Sequence, residues 1–111
     1  MGNVSNLFKK KHKNISALAA HDKLEGGAVM VDVREYDEYK VGHVAGAKNL
    51  PIGELHRAGQ ILDKDLELLV ICQHGSKSAK AAKTLRAQGY KAVNVAGGTS
   101  AWSSFGLPMS K

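Results

Sequence analysis

The run Leu68-Leu69-Val70-Ile71-Cys72 places five apolar side chains in a row with no polar interruption. Successive side chains of a strand point to opposite faces of a sheet. A strand without alternation is therefore covered on both faces, which is the condition of strands in parallel sheets. Such a sheet needs helices on its faces, joined to the strands by crossover connections. This one run fits a layered α/β architecture.

The rest of the pattern agrees. Ser16 can cap a helix through Leu24, and Gly26-Gly27 stop it. Residues 29–33, rich in Val, read as a strand. Residues 35–40 make a helical turn or two, 47–50 a second strand ended by Pro51, and 53–61 a weak helix. The doubly covered strand spans residues 66–71, and a helix over 76–88 follows, with Gly89 as its C-terminal glycine. Residues 92–95 are a further strand. Gly97-Gly98 turn the chain, and Thr99 is placed to cap a last short helix carrying Trp102, a core residue. The alternation argues for an α/β domain with a mainly parallel sheet and helices on both faces.

At 111 residues there is room for one domain, and an apolar fraction of 43% can fill one core. Residues 1–14 read as a tail, with Lys9-Lys10-Lys11-His12-Lys13 a solvated arm, and residues 15–109 as the domain. The net charge of +6 favours anionic partners. Aromatics are only 5% and no binding module stands out, which argues against a nucleic-acid ligand. One cysteine makes neither an internal disulfide nor a multi-cysteine zinc site. A free thiol suits a reducing compartment, so the cytoplasm is expected. No secretory signal is visible, since only Leu7-Phe8 precede the basic run, and no window reaches transmembrane length. Met1-Gly2 begins like a myristoylation site, but Asn6 stands where Ser or Thr is required.

Cys72 ends the doubly covered strand, and ligands of open parallel sheets bind beyond the carboxyl ends of the strands. The segment Gln73-His74-Gly75-Ser76-Lys77-Ser78 leads straight into a helix. So short a loop curls tightly, which Gly75 permits, and its N–H groups with the helix N-terminus make a nest for negative charge. A helix N-terminus and a cation such as Lys77 both favour the thiolate, the nucleophilic form. Lowering a thiol from about 8.5 to about 6.5 takes roughly 2.7 kcal/mol, within reach of several donors plus one lysine.

This loop resembles the active-site loop of rhodanese-like sulfurtransferases. Two further segments share the resemblance. Val31-Asp32-Val33-Arg34-Glu35, Glu38-Tyr39 and Gly42-His43-Val44-Ala45-Gly46-Ala47-Lys48-Asn49-Leu50-Pro51 are similar to the first family signature. Ala96-Gly97-Gly98-Thr99-Ser100-Ala101-Trp102 is similar to the C-terminal one, and Gly106-Leu107-Pro108 to a typical ending. The resemblance implies a small five-stranded, mainly parallel sheet flanked by helices. It implies an enzyme whose cysteine, here Cys72, takes the outer sulfur of a small anionic donor such as thiosulfate, or of a persulfide. The sulfur is carried as a persulfide, cradled by Gln73, His74, Gly75, Ser76 and Lys77, and passed to a thiophilic acceptor, cyanide or a thiol. Asp32 and Arg34 match positions that support the catalytic loop. No metal or organic cofactor is implied.

Lys77 and Gln73 stand where family members often carry Arg, and both changes weaken a planar, bidentate grip on an oxyanion. This keeps open a persulfide relay module that serves a partner protein and turns thiosulfate over poorly. Related cysteine phosphatases place Arg six residues after the nucleophile. Here the sixth residue is Ser78 and the fifth is basic, which favours sulfur over a phosphate or arsenate ester. His43 is expected to bond backbone rather than act as a base, and His74 either tunes the thiol or is solvated. Lys77, Lys80, Lys83 and Arg86 form one helical stripe, by default a solvated face.

Overall fold

The computed structural model describes residues 13–111, so the basic run through His12 lies outside the described residues. Five parallel strands form one sheet. In chain order they are β1 (Asn14–Ile15), β2 (Val29–Asp32), β4 (Lys48–Asn49), β5 (Glu67–Ile71) and β6 (Lys91–Val95). In space the order is β1-β6-β5-β2-β4, with β5 central. The helices are α1 (Ala17–Glu25), α2 (Tyr36–Val41), a 3-10 turn (Ile52–Arg57) running into α3 (Ala58–Ile61), α4 (Ser76–Ala87) and α5 (Gly98–Ser104). A two-stranded antiparallel ribbon, β3 (His43–Val44) with β7 (Met109–Ser110), lies outside the sheet.

The core explains the missing alternation in β5. Leu68, Val70 and Cys72 pack on one face with Ala81, Ala82 and Leu85 of α4 and with Leu55, Ala58 and Leu62. Leu69 and Ile71 pack on the other with Ala17 and Ala20 of α1 and Trp102 of α5. All four strand residues from Leu68 to Ile71 have no exposed surface. Removing one such leucine costs about 2–5 kcal/mol. Trp102 is buried and its indole N–H donates to Pro108 O at 2.9 Å.

Helix boundaries follow local chemistry. The Ser16 hydroxyl accepts the Ala19 N–H at 3.1 Å, which caps α1 as expected. Gly89, at φ 96°, follows α4. Thr99 does not cap α5. Gly97 holds the N-cap, Gly97 and Gly98 both adopt positive φ, and the helix starts one residue before Thr99, which is buried in its first turn. The expectation of a helix over 53–61 becomes a 3-10 turn kinked at Glu54 followed by one turn of α-helix. Two features have no counterpart in the sequence reading: β1, which begins inside the stretch read as tail, and the ribbon. Each strand involved has two residues, too few for any periodic signal.

Candidate active site

Cys72 follows the carboxyl end of β5, and α4 starts four residues later. Its thiol is buried, 4% exposed for the residue as a whole. Three donors or acceptors converge on Sγ: the Gly75 N–H at 3.1 Å, the Ser78 N–H at 3.3 Å and the Ser78 hydroxyl at 3.2 Å. Burial pushes the thiol up. Hydrogen bonds from the Ser78 side chain and from the Ser78, Gly75 and His74 backbone outweigh it, so Cys72 sits below its ordinary value of 9.0. Lys77, which the sequence reading enlisted for this task, is not among the causes. The N–H groups of Ser76 and Lys77, in the first turn of α4, have no protein acceptor among the described residues, as first-turn groups commonly do not.

The loop is shaped from behind. The carbonyls of Cys72 and Gln73 accept the N–H groups of Thr99 (2.8 Å) and Ser100 (3.0 Å) from the first turn of α5. Across a planar trans peptide the N–H points away from the preceding carbonyl. Fixing those two carbonyls on α5 therefore turns the Gln73 and His74 N–H groups the opposite way. Gly98 makes this approach possible, because a Cβ there would collide with the Cys72 and Gln73 backbone. Gly75 is constrained similarly, with φ 103° and Gly97 N at 3.0 Å from where a Cβ would stand. The sequence signal for this support is Gly97-Gly98-Thr99-Ser100, a turn and part of the C-terminal family signature, whose contact with the loop the sequence does not announce.

Beneath the sulfur runs a side-chain chain that sequence reasoning missed. Ser78 Oγ donates to Asn94 Oδ1 at 2.5 Å, and Asn94 Nδ2 donates to Asn14 Oδ1 at 3.0 Å. Ser78 and Asn94 are buried, and no buried side-chain nitrogen or oxygen lacks a partner among the described residues.

A cleft of about 180 Å³ opens over Cys72. Gln73, His74, Ser76 and Lys77 form one side of it, and Val33, Arg34, Glu35, Glu38 and Ile52 also line it. Gln73, Ser76 and Lys77 are exposed, and His74 Nδ1 lies 3.2 Å from Ser100 Oγ. Glu35 and Glu38 enter the sequence reading only as members of the first family signature.

Asp32 and Arg34 are more than a surface ion pair. Asp32 is fully buried, and its carboxylate accepts the Arg34 backbone N–H (2.9 Å), Nε (3.1 Å to each oxygen) and Nη2 (2.8 Å). Arg34 Nη2 also donates to Gly42 O at 2.7 Å. The Asp32 hydrogen bonds, with its charge and that of Glu38, hold the Arg34 guanidinium above its ordinary value against burial. Neither side chain hydrogen-bonds to residues 73–77; the pair ties the segment leading into α2 to Gly42 at the end of that helix, and Arg34 reaches the cleft wall. His43 Nδ1 lies 2.8 Å from Tyr39 O, and its ring stacks on Tyr39 with centroids 3.8 Å apart, which suits a structural histidine.

A family profile for the rhodanese-like domain matches residues 16–105. The chain belongs to the rhodanese-like family. It is 38% identical over 92 residues to YtwF of Bacillus subtilis, whose sulfurtransferase assignment is itself an inference. The match covers 81% of this chain and 89% of YtwF. GlpE of Ectopseudomonas mendocina, a thiosulfate sulfurtransferase, is 36% identical over 91 residues, covering 81% of this chain and 84% of that protein. YrkF of Bacillus subtilis, named as a sulfur carrier on similar grounds to YtwF, is 37% identical over 75 residues. That match covers 67% of this chain and only 40% of YrkF. The crystal structure of a rhodanese-related protein from Thermoplasma volcanium superposes with a TM-score of 0.81 at 35% identity, over 88% of this chain and 97% of that one. Rhodanese-like domains of known structure thus share the five-stranded α/β architecture. No helix among the described residues is long and apolar enough to cross a membrane.

Proposed function

We propose that this rhodanese-like domain is a sulfurtransferase that carries sulfane sulfur on Cys72. The thiolate attacks the outer sulfur of a small donor, the donor's S–S bond breaks, and its electron pair leaves with the inner fragment. With thiosulfate that fragment is sulfite, and with a persulfide it is a thiolate. The product, Cys72–S–S⁻, places a second sulfur among the loop N–H groups. Attack on that outer sulfur by cyanide or a thiol returns Cys72 as the thiolate.

The observation that carries the reading is the donor set around a buried thiol. Two backbone N–H groups already meet Sγ, and those of Ser76 and Lys77 are free to receive an outer sulfur. Gln73, His74, Gly75, Ser76 and Lys77 thus act mainly through backbone, with Lys77 adding charge at the cleft wall. A phosphatase role is disfavoured, because the sixth loop position is Ser78, turned inward onto Asn94. With one thiol in the chain, the sulfur leaves to an external acceptor, and a reducing cytoplasm suits the free thiol.

Intact mass after incubation with thiosulfate or a polysulfide tests this. One added sulfur atom on the wild type, and none on Cys72→Ser, is expected. No gain with either donor refutes the proposal. A second reading, a relay module for a partner protein, draws on the carboxylates in the cleft and on the sulfur-carrier name of YrkF. A protein that loads but yields no thiocyanate from cyanide favours the relay.

A further inference from the structure

The cleft over Cys72 has a charge pattern that bears on its donor. Lys77 stands on the loop side and forms no ion pair among the described residues. Arg34, the other cation in the cleft, is already neutralised by the buried Asp32 carboxylate, and Glu38 adds negative charge beside it. Glu35 and Glu38 line the cleft and are exposed. Two cations thus face three carboxylates. A dianion approaching the sulfur meets Lys77 but also passes two unpaired carboxylates. Gln73, exposed in the cleft, adds no charge to offset them.

We infer that the preferred donor is the persulfide of an aminothiol, whose ammonium group is cationic. The ammonium meets Glu35 and Glu38 while the outer sulfur meets Cys72. A carboxylate on the same donor, as in an amino-acid persulfide, would have Lys77 as its partner. This rests on Cys72 being the sulfur acceptor. The step balances without an oxidant: Cys72–S⁻ and R–S–SH give Cys72–S–SH and R–S⁻. One S–S bond forms as another breaks, and the proton stays on the transferred sulfur.

The registry of the sheet puts these acids in place. Asp32 pairs with Ile71, so the chain leaving β2 and the chain leaving β5 emerge side by side. Glu35 then opens α2, with its backbone carbonyl accepting from Glu38 and Tyr39, and Glu38 follows one turn on. The Glu35 side chain makes no capping hydrogen bond.

The test compares loading rates, followed by intact mass at low ionic strength, for three donors: cysteamine persulfide, 2-mercaptoethanol persulfide and thiosulfate. Intrinsic reactivity differs between the two persulfides, so the informative quantity is how their ratio changes in the double variant Glu35→Gln/Glu38→Gln. We expect that ratio, cysteamine over mercaptoethanol, to fall roughly three- to tenfold, the effect of losing two exposed ion pairs. Thiosulfate loading should rise in the same variant. Added salt should lower the ratio in the wild type and leave the variant nearly unchanged, a readout that needs no substitution. A ratio that stays the same in variant and wild type, at low and high salt, overturns the charge inference alone. Failure of all three donors to load the wild type overturns the sulfur-carrier reading, and the charge inference together with it.

Discussion

Ser78 has one hydroxyl proton and two neighbours that want it. Asn94 turns its Oδ1 towards Ser78, because its Nδ2 is committed to Asn14. A carbonyl oxygen only accepts, so Ser78 donates to Asn94 and offers Cys72 a lone pair. That arrangement suits a thiol, whose S–H donates to Ser78 Oγ at 3.2 Å. A thiolate calls on the hydroxyl proton instead. For the Ser78 hydroxyl to stabilise the ionised sulfur it must swing its proton to Sγ, which leaves the buried Asn94 oxygen without a donor. An unsatisfied buried acceptor costs about 1–3 kcal/mol. That cost offsets part of the lowering that the Ser78 side chain gives the thiol. The nearly isosteric Asn94→Leu removes the competing acceptor, so Cys72 should ionise at a lower pH. The pH dependence of iodoacetamide alkylation measures this. The charged groups facing the cleft, Arg34, Glu35, Glu38 and Lys77, are unchanged, and His74 stays on its loop. In a Ser78→Ala background the Asn94 substitution should lose its effect, since the two act through one proton. A thiol that titrates higher in Asn94→Leu, or an equal shift with and without Ser78, would refute the reasoning.

Two further outcomes follow from the geometry. Because the folded Cys72 thiol lies below its ordinary value of 9.0, its ionisation stabilises the fold fully above about pH 9 and the gain disappears as pH falls through the folded value. Urea unfolding of wild type and Cys72→Ser should show the wild type gaining relative stability as pH rises towards about 9, and parallel curves would count against it. Gly98→Ala should displace the catalytic loop from α5, with a stability loss of roughly 1–3 kcal/mol and a much larger loss of sulfur loading, read by thermal unfolding and intact mass.

The architecture was legible where neighbouring residues carry it. Leu68 to Cys72 announced a doubly covered strand because burial on both faces removes alternation, and the clusters on either face bear that out. The loop was legible because nucleophile, Gly75 and the start of α4 are adjacent in the chain. What escaped is what the fold assembles from afar. Asn94 lies 16 residues from Ser78 and Asn14 lies 80 from Asn94, and nothing in either neighbourhood marks them as partners. Glu35 and Glu38 were in view within a recognised signature, but their place in the cleft depends on the pairing of β2 with β5. The hydrogen bond from Arg34 to Gly42 is of the same kind, since it depends on how α2 folds back over the end of β2.

The sheet order has a consequence for how the protein is made. β6, the last strand of the sheet to leave the ribosome, lies between β5 and β1, the first. Asn94 N–H reaches Lys13 O, and Ala96 N–H reaches Ile15 O, so the beginning of the domain waits for its end. The carbonyls of Cys72 and Gln73 wait as well, because their partners Thr99 and Ser100 emerge later still. During synthesis Cys72 is therefore an ordinary thiol on an unfinished sheet. It acquires its cradle only once β6 and α5 have docked, so a nascent or C-terminally truncated chain would carry the cysteine without its reactivity.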